Sequence, residues 1–182
     1  MQKALAFEIL FPLIIVILWL YLTITKKISP AMSKLWVIAF FLGLTWEMTF
    51  RFMGDKWMQI KNPEIKKLPK AVYAISHALQ DSLLFMIGIF LAWLLLGKNN
   101  NIFCDYKLNV LLIFIIWGFF QEFMIELAYN GKVWEYTPNK FNPTVWSRNG
   151  VQYTLVPYLV WIIAPIIFWI ITVNIMKSSK NC

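Results

Sequence analysis

Five stretches of this chain are each apolar enough and long enough to cross a bilayer as a helix, a crossing that takes ~20 residues through ~30 Å of hydrocarbon. They run over about residues 5–24, 35–54, 72–96, 108–129 and 153–175. Alternation with a period of two is absent from all of them, which excludes a transmembrane β-barrel. The first stretch follows Lys3, as a secretion signal would, but it is too long for a signal core. Lys26, Lys27 and Ser29-Pro30 come next, with no small-x-small cleavage site, so it reads as a retained span. The expected fold is therefore all-α: a polytopic integral membrane protein, a bundle of five transmembrane helices forming one domain over residues 1–182.

Composition agrees. Hydrophobic residues make up 60% of the chain and charged residues 14%, against ~45–50% and ~25% in soluble domains. Neither a soluble globular domain nor a disordered chain has this balance. The net charge of +8 suits loops facing anionic headgroups, and no basic stripe or reading motif points to nucleic acid. The two cysteines, Cys104 and Cys182, form no CxxC pair, and neither a disulfide staple nor a cysteine zinc site is expected.

The connections differ in character. Residues 25–34 form a short basic turn, and residues 55–71 carry five Lys and two Pro. Residues 97–107 contain Asn99, Asn100 and Asn101 and read as solvated. Residues 130–152 interleave Trp134, Tyr136, Phe141 and Trp146 with Pro138 and Pro143, which suits a headgroup-level segment packed as a lid. Five spans place 9 Lys and Arg on the N-terminal side and 7 on the other, with Arg51 inside a span. By that narrow margin the positive-inside rule favours a cytoplasmic N-terminus.

The ionisable residues inside the spans carry the functional signal. Glu8, Glu47, Arg51, His77, Asp81, Glu122 and Glu126 all interrupt apolar runs. A mid-span charge costs ~2.5–3.5 kcal/mol on insertion scales, so such residues face a bundle interior or a water-filled cavity. Glu47 with Arg51, His77 with Asp81, and Glu122 with Glu126 are each four apart, so each pair shares one helix face. All six lie in the half of the span nearest the N-terminal side. Gly43, Gly88 and Gly118 lie one or two turns away and let helices approach closely. Together these features predict one polar cavity, open toward the N-terminal side and roofed by residues 130–152.

Each pair also has a plainer explanation. Glu47 and Arg51 could be an ion pair within one helix, and His77 and Asp81 a satisfied hydrogen-bonded couple. Glu8 could sit idle at the interface. Glu122 and Glu126 are harder to explain this way, because like charges in a low dielectric require a shared proton or a cationic partner. His77 and the carboxylates leave a divalent metal open, but a single histidine is a poor basis for a metal enzyme, and no cofactor is expected. Nucleophile-elbow, P-loop and dinucleotide fingerprints are absent.

The stretch Leu44-Thr45-Trp46-Glu47-Met48 resembles the Trp-Glu of small membrane-bound terpene cyclases. The likeness covers only these residues. Those cyclases have seven spans and a second catalytic acid in the last, whereas the fifth span here has no acid. Sterol isomerases use similar logic, with acids beside Trp inside the membrane, but their motifs do not line up.

The leading expectation is a membrane enzyme of isomerase, cyclase or hydrolase type doing acid/base chemistry on a lipid or isoprenoid-like substrate. Glu122 or Glu126 would be the acid and Asp81, oriented by His77, the base. Glu47 and Arg51 would position polar groups, and Trp46, Trp117 and Phe120 would offer π faces to the substrate. The expected partners are membrane lipids and an apolar small molecule, with homo-oligomerisation left open. A small proton-coupled transporter and a non-catalytic membrane binding or assembly protein are the alternatives.

Overall fold

The computed structural model describes residues 3–179. Five long helices dominate: α1 (Lys3–Ile24), α2 (Pro30–Met53), α4 (Lys70–Leu95), α5 (Leu108–Tyr129) and α6 (Leu155–Ser178), with a single-turn α3 (Pro63–Lys66) between the second and third. All five are long and apolar enough to cross a membrane. The fold is all-α with little sheet, and the chain is a multi-pass membrane protein.

Local chemistry sets the helix ends. The second span starts at Pro30, earlier than hydropathy suggests, because Ser29 caps it: the Ser29 Oγ accepts the Met32 N–H at 3.2 Å, and proline takes the first turn. It stops at Gly54, whose φ of +70° a side chain would disfavour.

The helices pack mainly as α2 on α4 and α5 on α6, with α1 leaning on α4. Two glycines make these approaches possible. A Cβ on Gly43 would stand 3.0 Å from the Cβ of Asp81, and one on Gly118 would stand 2.7 Å from the Trp161 carbonyl oxygen and 2.8 Å from Pro165. In the half of the bundle away from the N-terminal side, Leu35, Ala39, Phe85, Phe114 and Phe168 form a closed apolar core. Outward faces are apolar too, as at Ile17, Phe90 and Ile116. That is the pattern of lipid contact, not of a folding defect.

Two loops depart from expectation. The Lys- and Pro-rich 55–71 connection contains a short strand. Its β1 (Met58–Ile60) pairs antiparallel with β2 (Trp134–Tyr136), so that Met58 faces Tyr136 and Ile60 faces Trp134. The 130–152 segment is likewise not one uniform lid. Its first part is β2, whose Trp134 and Tyr136 are buried, while β3 (Thr144–Arg148) and β4 (Val151–Thr154) form a separate hairpin on which Val145 is exposed. Phe141, between the two, is also exposed. Cys104 is disulfide-bonded, against the expectation of no staple; Cys182 lies outside the described residues.

The Gly118 contact gives a direct stability test. In Gly118→Ala the new methyl group meets backbone that cannot swing away, so α5 and α6 must separate. Overpacking of this kind costs ~1–3 kcal/mol. A lower thermal midpoint in detergent, read by tryptophan fluorescence, is the expected result, and an unchanged midpoint would contradict the packing described.

Candidate functional site

Beneath the β1–β2 ribbon lies a cavity of about 290 Å³, close to the ~300 Å³ lower edge of small-molecule sites. Glu8 from α1, Glu47 from α2, His77 and Asp81 from α4, and Glu122 and Glu126 from α5 all line it. Five acids and one imidazole from four helices thus meet in one space, in the half of the bundle nearest the N-terminal side. Rings of Trp46, Tyr73, Trp134, Tyr136 and Trp161 complete the wall.

Which side chains pair is not what spacing along one helix suggests. His77 turns away from Asp81. Its Nε2 stands 3.1 Å from the Glu8 Oε2 and its Nδ1 stands 4.0 Å from the Glu47 Oε2. The first contact is an ion-pair distance without hydrogen-bond alignment, since Nε2 has no aligned acceptor. The imidazole is also stacked on Tyr73, with centroids 4.1 Å apart. The Ser76 hydroxyl lies 2.7 Å from the Glu8 carbonyl oxygen and 3.2 Å from its Oε2, and its one proton is shared between them. Glu8, for which the sequence left an idle interfacial role open, is 6% exposed and the nearest acid to the lone histidine.

Asp81 is held from another helix: the Trp46 indole N–H donates to its Oδ2 at 3.0 Å. Glu126 is held from the lid. Trp134 Nε1 donates to its Oε1 at 3.0 Å and Asn130 Nδ2 to its Oε2 at 2.7 Å. Two aligned N–H donors orient a carboxylate and satisfy its charge. Glu122 differs from the others. It is 5% exposed and lines the cavity, yet among the described residues nothing hydrogen-bonds or ion-pairs with its carboxyl group.

The remaining predicted residues are placed as follows. Arg51 makes no ion pair with Glu47. It is buried at the end of α2, does not line the cavity, and sits with its guanidinium 5.4 Å from the Tyr73 ring centre. Trp46 lines the cavity as well as holding Asp81. Trp117 does not line it; its indole N–H donates to the Leu84 carbonyl at 2.9 Å and ties α5 to α4. Phe120 points outward and is 56% exposed. Sequence reasoning missed Glu8, Tyr73, Asn130, Trp134 and Tyr136. For Glu8 a signal existed, as an acid at the same depth as the three pairs. For Trp134 and Tyr136 only the aromatic density of the segment hinted at it.

Tyr136, on the lid outside the spans, has its phenol held neutral far above the usual tyrosine range. Burial is the main cause, and the negative fields of Glu126, Glu122 and Glu47 add to it. As for metal ligands, among the described residues no group of three His, Cys, Asp or Glu side chains is placed to hold an ion. No known protein family, curated protein or solved structure matches the chain.

The lid and the site share one bond that can be removed cleanly. Trp134→Phe keeps an aromatic ring, smaller than the indole, and deletes one of the two donors to Glu126. Hydrogen bonds to charged groups contribute ~1.5–3 kcal/mol, so the variant should lose stability in that range and expose Lys61 to trypsin faster than wild type. Equal midpoints and equal cleavage rates would mean that the ribbon is not anchored through Glu126.

Proposed function

We propose that this protein is a membrane-embedded enzyme doing acid/base chemistry on a lipid or isoprenoid-like substrate. The observation that carries the reading is the contrast between Glu122 and the acids that have donors; Glu47 has no donor either, but stands 4.0 Å from the His77 Nδ1. Glu126, Asp81 and Glu8 are each oriented by donors, whereas Glu122 faces the cavity unengaged. A carboxyl group without donors, in an apolar wall, suits proton donation, and carboxylates fixed by N–H groups suit proton acceptance. In this reading Glu122 delivers a proton to the substrate. Asp81, fixed by Trp46, or Glu126, fixed by the lid, takes one away, and His77 between Glu8 and Glu47 returns protons to the site. The β1–β2 ribbon excludes water from the reacting centre.

The closed apolar core below the site speaks against a path through the membrane, because a carrier needs polar or alternately open space on both sides of its binding site. A non-catalytic lipid-binding protein is the second reading, since it would need the same cavity but no unengaged acid. For orientation we propose a cytoplasmic N-terminus. The 9-to-7 count supports it, and so does the disulfide-bonded Cys104 in the connection at the opposite surface, because disulfides persist in oxidising compartments. The cavity then lies in the cytoplasmic half of the membrane, beneath the ribbon.

The test is turnover in reconstituted vesicles. Protein and a total membrane lipid extract are incubated together, and lipid species are compared between wild type and Glu122→Gln. Wild type should deplete one lipid and accumulate an isomer or water adduct. The isosteric variant should fold normally and slow that conversion ~10²–10⁴-fold. Lipid profiles identical to those of protein-free vesicles would leave the binding reading in its place.

A further inference from the structure

The cavity wall is unbalanced in charge. It holds five carboxyl groups and one imidazole, and no Lys or Arg lines it. His77 is already shared between Glu8 and Glu47, and Arg51 is turned away against Tyr73. Buried carboxylates need a proton or a cation, and Glu122, 5% exposed, has neither a donor nor a counter-ion among the described residues. The rings beside it add faces that attract positive charge. An anionic head such as a phosphate would face five carboxyl groups against one imidazole already shared by two of them.

The cavity also has a side. Its wall includes Phe7 and Phe11 from α1 and Ile125 and Tyr129 from α5, with Leu84 and Ile87 of α4 between them. Among the described residues α1 and α5 make no extensive contact with each other, and both pack on α4. Phe7 and Tyr129 are 43% and 39% exposed. The cavity therefore reaches the outer surface of the bundle between Phe7 and Tyr129, and Leu84 and Ile87 share its lining.

We propose that the natural ligand is a single-chain amphiphile with a positively charged centre, which enters from the bilayer between α1 and α5, places that centre against Glu122, and leaves its chain over Leu84 and Ile87. This rests on the acid-lined cavity used in the enzyme reading and narrows its substrate class.

Three probes of equal chain length decide it: dodecylamine, dodecan-1-ol and dodecanoate, titrated against protein in nanodiscs, with Glu122→Gln discs in parallel to subtract partition into lipid. Wild type should bind dodecylamine about tenfold or more tighter than either other probe, and Glu122→Gln should lose that preference. Butylamine, with the same head and a short chain, should bind far more weakly. Equal binding of all three twelve-carbon probes, preference for dodecanoate, or a preference that survives in folded Glu122→Gln overturns the proposal. If Glu122→Gln does not elute as one species, Asp81→Asn takes its place with the same expected loss. The readout needs no turnover. Amine preference without lipid conversion would sink the enzyme reading alone, and conversion without amine preference would sink this proposal alone.

Discussion

A carboxyl group inside a bilayer-spanning bundle must find a hydrogen-bond donor, a counter-charge or a proton, and most of this architecture follows from that need. Five such groups sit in one half of the bundle. The helices alone satisfy only part of the demand, through Trp46 on Asp81 and Ser76 on Glu8. The remainder comes from outside the spans. The chain leaving α5 sends Asn130 and Trp134 back to Glu126, and the strand this creates needs a partner for its own backbone, which β1 supplies. The lid is thus a consequence of the buried acids as much as a cover for them.

Close helix approach is the second requirement. Gly43 brings α2 against the Asp81 side chain and the Ala78 backbone, which puts Asp81 within reach of Trp46, and Gly118 seats α5 on the Trp161 carbonyl. Trp161 in turn lines the cavity and packs on Trp46, ring centres 5.9 Å apart. The polar half and the closed apolar half are therefore joined through the same aromatic residues. Changes in the lower core should be felt at the site through Phe85, which stacks on Trp161 at 5.2 Å.

The spans were legible because twenty apolar residues in a row have few other uses. The limits of α5 agree with hydropathy at both ends, and α2 differs only because the Ser29 cap lies upstream of the apolar run. The convergence of the acids was legible from depth and from spacing of four. Who pairs with whom was not. Spacing along one helix reports a shared face, but the partners of His77 and Asp81 come from other helices, and the rotation of α1 that delivers Glu8 leaves no local mark. Nor does an all-round apolar helix such as α5 say which ring looks inward, so Trp117 and Phe120 could not be told from cavity residues. A three-residue strand in a Lys- and Pro-rich loop is too short for a period to show.

The central claim is that Glu122 is an unengaged carboxyl group reachable from the hydrocarbon phase. Dicyclohexylcarbodiimide, which partitions into lipid and adds to carboxyl groups, tests it most directly when followed by peptide mass spectrometry. The account predicts an N-acylurea at Glu122, with Glu126 spared behind Trp134 and Asn130. Labelling confined to the water-facing acids Asp105 and Glu135, with Glu122 untouched, would contradict it.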